Sequence, residues 1–443
     1  MSTIVAVIGV GYVGEHLVTE FSKHYPVIAY DIDQQRLDQV ASNTTVHRLM
    51  TSLDQVASNT TVHRLMTTRK AVDLCLATHI LISVPTDVFH DGTINTTTLR
   101  KAIATVLEHA QYGATVVIES SVAVGMTRDL FGTSYLRKGL KIGMSPERVD
   151  PGRTNIAYDS IPKIISGLNS ESLAAIADLY RPVFSNIVSV SSVEVAEMTK
   201  LYENCQRMIS IAYVNEMADA CLSHNIDPME VCEAASTKPF GYQPYTPSLG
   251  VGGHCIPVNP FYLLSNSQWP CLELATRKMR SRPANIGDRI MADLMQRIPS
   301  RRPRILVVGV GFKKGQSVLS NAPGVDLIVH LLSTYDVYIE FADPLVAESA
   351  LPYVPKLEDP AAWNTSNIDE SFDAVVVAVA QDGLDLTLLK QLRKAKVFNF
   401  SAALSWLRRA CFLRTLHNGA ALQTCLICPA NCPLLLRLSQ SRQ

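Results

Sequence analysis

The stretch IVAVIGVGYVGEHL, residues 4–17, decides how the chain folds. Ile4 to Ile8 is a short β-branched run that stops at Gly9, and apolar residues return at helical spacing from Leu17 to Phe21. The pattern predicts a strand, a tight turn and a helix. Gly9, Gly11 and Gly14 carry the spacing G-x-G-x-x-G. The first glycine turns the chain, the second lets a pyrophosphate approach bare backbone, and the third seats the helix on the strand. A second strand from Val27 ends in Asp31, about 20 residues further on, where a carboxylate accepts two hydrogen bonds from a ribose hydroxyl pair and favours NAD over NADP. Strands expected at residues 79–84, 115–119 and 163–166 alternate with helical stretches, which predicts a parallel, doubly wound α/β sheet.

Working outward, 443 residues suit two or three domains. Forty basic and forty acidic side chains cancel, so nothing marks the chain for nucleic acid or an anionic membrane. The opening residues lack the flanks of a signal peptide, and no apolar run approaches the ~20 residues that cross a bilayer. A cytosolic protein is expected, its ten cysteines mostly reduced. Ser191 and Glu194 read as a capping box opening a long helix to about Ser223, with an apolar face of Val195, Met198, Tyr202, Cys205, Ile209 and Ala212. Such a helix suits a connector and a contact in a homodimer or larger oligomer. Residues 304–311 repeat the strand-to-glycine turn without a proper third glycine, and strands at 337–341, 374–379 and 397–400 follow. The expected organisation is two Rossmann-like doubly wound domains joined by the long helix. Residues 1–190 form a dinucleotide-binding domain, 191–298 a helical region with a reactive loop, 299–401 a second α/β domain, and 402–443 an atypical tail.

Residues 37–52 read LDQVASNTTVHRLMTS and residues 53–68 repeat them with one change. Two near-identical copies do not make a structural repeat, and the spare one is expected to protrude after the second strand without function. In the tail, Cys425, Cys428 and Cys432 lack the second pair or the histidines of a zinc site, so no metal is expected.

The chemistry centres on GVGGHCIPVNP, residues 250–260. Gly250, Gly252 and Gly253 let a ligand approach backbone amides beside Cys255. A thiol becomes a useful nucleophile near a positive charge, and Lys200, with Asn204 one turn on, offers one that also stabilises an oxyanion. His254 is read as packed beside the loop rather than as a base.

These residues fall in a set of motifs: GVGYVG, ISVPT (82–86), ESSVAVGMT (119–127), SPERVDPG (145–152), EMTKLYEN (197–204), VNE (214–216), GVGGHCIP and GFKK (311–314). From residue 1 to about 400 the chain resembles the UDP-glucose/GDP-mannose dehydrogenase family. The resemblance implies an NAD-binding domain, a central dimerisation region, and a third domain holding the nucleotide of a UDP-sugar. It implies oxidation of the C6 alcohol to a carboxylate with two NAD+ in succession. Cys255 would carry thiohemiacetal and thioester intermediates, Lys200 and Asn204 would hold the oxyanion, and water would be activated near Glu147. Phe312 and Lys313 would contact UDP, Tyr245 with the amides of Gly252 and Gly253 its phosphates, and Pro85, Thr86 and Ser121 would border NAD+. The chain departs from the family at Asn259, where an aspartate is usual, at Ser121, where a threonine is usual, and at Val318 and Ser320, where an aspartate and an arginine are usual. SPERVDPG and GGHCIPV resemble the branch acting on UDP-N-acetylhexosamines. Asn259, the duplicated insert and the altered tail also suit a degenerate nucleotide-sugar-binding protein with little turnover, and the double-domain plan suits a two-electron hydroxyacid dehydrogenase in which the thiol is incidental.

Overall fold

In the computed structural model, which describes residues 2–43, 65–89, 91–149, 156–357 and 360–401, the opening stretch folds as its glycines demand. In chain order the strands of the first half are β1 (Val5–Ile8), β2 (Val27–Tyr30), β3 (Leu65–Thr68), β4 (His79–Ile82), β5 (Asp87–Val88), β6 (Ile94–Asn95), β7 (Thr115–Ile118), β8 (Lys141–Met144), β9 (Lys163–Gly167) and β10 (Ile187–Ser189). Eight of them make one sheet, ordered β10-β9-β8-β7-β4-β1-β2-β3, while β5 and β6 form a separate hairpin. Helices α1 (Tyr12–Ser22), α2 (Gln34–Asn43), α3 (Thr97–His109), α4 (Met126–Phe131) and α5 (Ser170–Tyr180) accompany it. β1 and β7 are buried throughout, because helices cover both faces of a parallel sheet and leave no polar side to alternate.

The pairing is parallel except between β8 and β9, which run antiparallel with Gly143 opposite Gly167. This corrects the expectation of a wholly parallel sheet. Among its described residues the connection from β8 to β9 carries only a 3-10 turn, Tyr158–Ser160, and no crossover helix, so the chain enters β9 from the end at which it left β8. The repeat is split between two elements: α2 uses the head of the first copy and β3 the tail of the second. Residues 44–64, where the spare copy was expected to protrude, and the tail with its cysteines lie outside the described residues.

The chain then enters α6 (Val193–Ser223), 31 residues long, followed by α7 (Pro228–Ser236), α8 (Asn259–Leu264) and α9 (Pro270–Arg297). The cap of α6 is Ser192, whose side chain accepts from Val195 N at 3.4 Å, and not Ser191; Glu194 instead reaches Arg128 at 2.8 Å. The buried face also differs from the apolar stripe. Val195 and Tyr202 are 42% and 58% exposed, whereas Glu197 and Lys200 are buried. These polar groups go inside because each has partners there, which apolar periodicity cannot register. The second sheet is wholly parallel and ordered β12-β11-β13-β14, from β11 (Arg304–Val308), β12 (Tyr338–Ala342), β13 (Ala374–Val377) and β14 (Lys396–Asn399). It packs with α10 (Pro323–Thr334) and α11 (Thr365–Ser371) into its own core, Leu306, Val308, Leu327 and Phe341 being fully buried. The result is two Rossmann-like lobes with α6 and α9 between them. No described helix is long and apolar enough to cross a membrane.

Candidate functional site

Register places the first turn. Ile8 lies level with Tyr30 and Ile82, so Gly9 N donates to Tyr30 O at 2.9 Å and Ser83 N to Ile8 O at 2.8 Å. Gly9 has φ +83°, a backbone state that side chains disfavour. A Cβ on Gly14 would stand 1.9 Å from Gly9 O, so only glycine lets α1 come this close. A Cβ on Gly11 would meet nothing within 4 Å, which leaves open space over the turn. Asp31 accepts Val10 N on Oδ2 at 2.8 Å and Asp33 N on Oδ1 at 2.9 Å, leaving a lone pair on each oxygen for a ribose. The open second glycine, the amides at the head of α1 and this carboxylate fit NAD. Pro85 and Thr86 follow β4 beside this turn, and Ser121, half-buried, follows β7.

The loop holding Cys255 is tied down at both ends. At its start Ser248 N donates to Asn215 Oδ1 at 2.8 Å and Arg282 Nε to Ser248 O at 3.0 Å, so α6 and α9 fix the entry. At its end Asn259 N donates to Cys255 O at 2.9 Å and opens α8. From the second lobe Gly253 N donates to Ser320 O at 3.1 Å and Asn321 Nδ2 to Gly253 O at 3.0 Å. Phe312 leans on the same loop: a Cβ on Gly252 would lie 2.8 Å from its Cβ, and one on Gly253 2.9 Å from its ring. Tyr245 and Lys313 are half-buried on the flanking loops. His254 is exposed, which overturns the reading of it as a packed residue; the bonds that hold the loop are backbone bonds and need no side chain there.

Cys255 is a free, half-buried thiol. Lys200, 6% exposed, faces it: burial pushes the ammonium below its ordinary pKa, and the charges of Cys255, Glu147 and Glu203 pull the other way. Asn204 Nδ2 donates to Asn259 Oδ1, so the two amides form one unit next to the lysine. Glu147 is buried beside them, and burial would raise its carboxyl. Lys163, a hydrogen bond from Tyr158, and Lys200 outweigh that effect and hold it below the usual carboxylate range. The structure therefore gathers Cys255, Lys200, Asn204, Asn259, Glu147, Gly252, Gly253 and Phe312 at the junction of the lobes.

Motif reading did not single out Lys163, Tyr158 or Tyr180, which bond Glu119 and Glu147 inside the first lobe, although a lysine opening the β-branched run KIIS was a visible signal. Nor did it give Glu197 its role. That carboxylate accepts Gly125 N at 2.6 Å and Thr127 N at 2.8 Å and so anchors the loop carrying Ser121 onto α6.

An open glycine turn, an acidic ribose position and a thiol under a second lobe define the class: an NAD-dependent oxidoreductase with two Rossmann-like lobes. Residues 3–184 match the NAD binding domain of the UDP-glucose/GDP-mannose dehydrogenase family, and residues 194–278 its central domain. The chain is 32% identical over 367 residues to a UDP-N-acetyl-D-glucosamine 6-dehydrogenase of Pseudomonas aeruginosa, covering 78% of this chain and 84% of that protein. It is 30% identical over 354 residues to a UDP-N-acetyl-D-mannosamine dehydrogenase of Pyrococcus horikoshii, covering 76% and 84%. A solved structure of UDP-D-ManNAc dehydrogenase from Pyrococcus horikoshii superposes with a TM-score of 0.76 at 25% identity, covering 90% of this chain and 95% of that one. The chain belongs to the UDP-glucose/GDP-mannose dehydrogenase family, and NAD is its cofactor.

Proposed function

We propose that the protein oxidises the C6 alcohol of a UDP-sugar, a UDP-N-acetylhexosamine or UDP-glucose, to the uronic acid through thiohemiacetal and thioester intermediates on Cys255. The observation that carries this reading is the buried Lys200 facing the Cys255 loop, with the Asn204 and Asn259 amides joined at its side. Gly9, Gly11, Gly14 and Asp31 would hold NAD+, which would accept the hydride in both oxidations while the hydroxyl proton leaves to water. Lys200, on a rigid helix, balances negative charge developing on the C6 oxygen, and Asn204 adds a donor. The Cys255 sulfur bonds to the aldehyde carbon as the carbonyl oxygen takes a proton, so the aldehyde is not lost as its hydrate. After the second oxidation, water near Glu147 adds to the thioester carbonyl, the carbon–sulfur bond breaks, and the thiol is restored. Asn259 has no proton to exchange near neutrality and serves to orient.

Phe312 and Lys313 are assigned to the UDP moiety, Tyr245 with Gly252 and Gly253 to its phosphates, and Pro85, Thr86 and Ser121 to the border of NAD. The names of the relatives favour an N-acetylhexosamine. The exposed Val195, Tyr202 and Tyr213 along α6 suit a contact between copies in a homodimer or larger assembly, working in the cytosol. Residues 1–190, 191–298 and 299–401 are taken as the functional units.

Counting NADH per UDP-sugar consumed tests the reading. Two supports it, one points to a two-electron dehydrogenase, and none to a binding protein. Cys255→Ser should cut acid formation by roughly a thousandfold or more while sparing NAD affinity. Undiminished acid production by that variant ends the proposal.

A further inference from the structure

Next to Lys200 lies a buried charged cluster. Lys163 Nζ, its side chain 4% exposed, stands 2.6 Å from Glu119 Oε2 and 3.1 Å from Glu147 Oε2. Tyr180 donates to Glu119, and Tyr158 donates to Glu147. The other Glu147 oxygen accepts the amides of Arg148 at 2.5 Å and Val149 at 2.9 Å. Three of the elements packed around Glu147 present a donor or a cation: Lys163 from β9, Tyr158 from the turn before it, and Lys200 from α6. Arg148 turns its guanidinium to Glu203 and to Pro162 O, and Glu119, which follows β7, opposes Glu147 with a like charge. His16 of α1 stacks on Tyr158 with ring centroids 5.2 Å apart. Drying out a lysine and two carboxylates is expensive, and apolar side chains would fill the space at lower cost. Lys200, whose charge is felt by both Glu147 and Cys255, links the cluster to the thiol and suggests what it is for.

We propose that Lys163 is a positioning residue: with Tyr158 it keeps the Glu147 carboxylate ionised and fixed toward Lys200, so that a carboxylate and an ammonium stand ready beside Cys255 throughout the neutral range. In so dry a place an unaccompanied carboxyl would take up a proton. The ammonium of Lys163 and the hydroxyl of Tyr158 prevent this at Glu147, while Glu119, which shares the same lysine, is pushed upward by its own burial.

The inference rests on the proposed chemistry only for its kinetic arm. In the full chain, carboxyl-labelled glutamate is titrated by 13C NMR, with Glu147→Gln assigning the resonance, and acid formation is followed against pH. In Lys163→Gln the Glu147 midpoint should rise by about one pH unit or more, and the acid limb of kcat should move up with it while KM for NAD stays put. Lys163→Arg, which keeps the charge, should restore the wild-type midpoint. If Lys163→Gln does not fold, Tyr158→Phe decides: it deletes one hydroxyl, and the midpoint should rise by about half a unit. An unmoved midpoint in the folded variants overturns the proposal. Two NADH per UDP-sugar with an unmoved midpoint defeats this inference alone. A shifted midpoint with one NADH or none defeats the assigned reaction and leaves the hold of Lys163 on Glu147 standing.

Discussion

The two lobes make the same turn and put it to different uses. In the first, Gly9 N donates to Tyr30 O at 2.9 Å, and Asp31 at the end of β2 receives Val10 N at 2.8 Å. In the second, Gly309 N donates to Ala342 O at 2.8 Å, and Asp343 after β12 receives Val310 N at 2.9 Å. Both first glycines have positive φ, +83° and +75°. The difference lies above the turn. Gly11 looks onto free space, whereas a Cβ on Gly311 would sit 2.2 Å from Gln316 O. There the chain's own loop, pinned by Gln381 through Gly315 N at 2.8 Å and Gln316 O at 3.1 Å, fills the place a dinucleotide would take. A shared backbone motif therefore marks a place where a ligand can sit, and the loop above it decides whether one does.

The contrast can be broken most severely at Gly14. Gly14→Ala places a methyl 1.9 Å from Gly9 O and should destabilise the first lobe by about 3 kcal/mol or more, read as a large loss of melting temperature. Next comes acid. Burial, with Lys141 as a lesser cause, holds His79 of β4 down to about 4 from 6.5, while Ala374 occupies the matching end of β13 and does not titrate. A base depressed in the fold contributes stability that is complete above its unfolded pKa and drains away as pH falls from 6.5 toward 4. The first lobe should lose about 2 to 3 kcal/mol over that window, and His79→Gln should flatten the dependence in denaturant melts at the two pH values. Gly311→Ala should cost about 2 kcal/mol of stability and leave NAD affinity untouched. Gly11→Ala should do the reverse, weakening NAD about tenfold by calorimetry with no change in melting, since its methyl meets no protein atom within 4 Å but stands where the pyrophosphate is expected. Smallest of all is deletion of residues 44–59, which joins Asn43 to Thr60 and restores one copy of the repeat. Stability should stay within about 0.5 kcal/mol of the parent, because α2 and β3 both survive intact.

The first turn was legible because glycine spacing is a local steric requirement, and Asp31 because it ends an apolar run. Lys200 and Asn204 were legible as partners of Cys255 because they share a helix face one turn apart and a thiol needs a nearby charge, whereas the hydrogen bond of Asn204 to Asn259 was not. What escaped was set by partners distant in sequence. Lys163 lies 44 residues from Glu119, and neither spacing nor hydropathy announces that pairing. The same blindness shifted the buried face of α6, since Glu197 and Lys200 go inside for hydrogen bonds and charge. The cap moved by one residue because two adjacent serines offer the same oxygen and only the backbone selects Ser192. The antiparallel step at β9 depends on which way the chain returns, and β-branched residues carry no arrow.

The division of the repeat between α2 and β3 has a practical consequence. Asn43 and Leu65 close off elements that already tolerate a lengthened connection, and the element on one side leads back to the carboxylate at Asp31. A circularly permuted fluorescent module grafted between them would be tethered to the ribose position. Its emission with and without NAD+ would measure whether occupancy beside Asp31 reaches this connection, the property a redox biosensor needs.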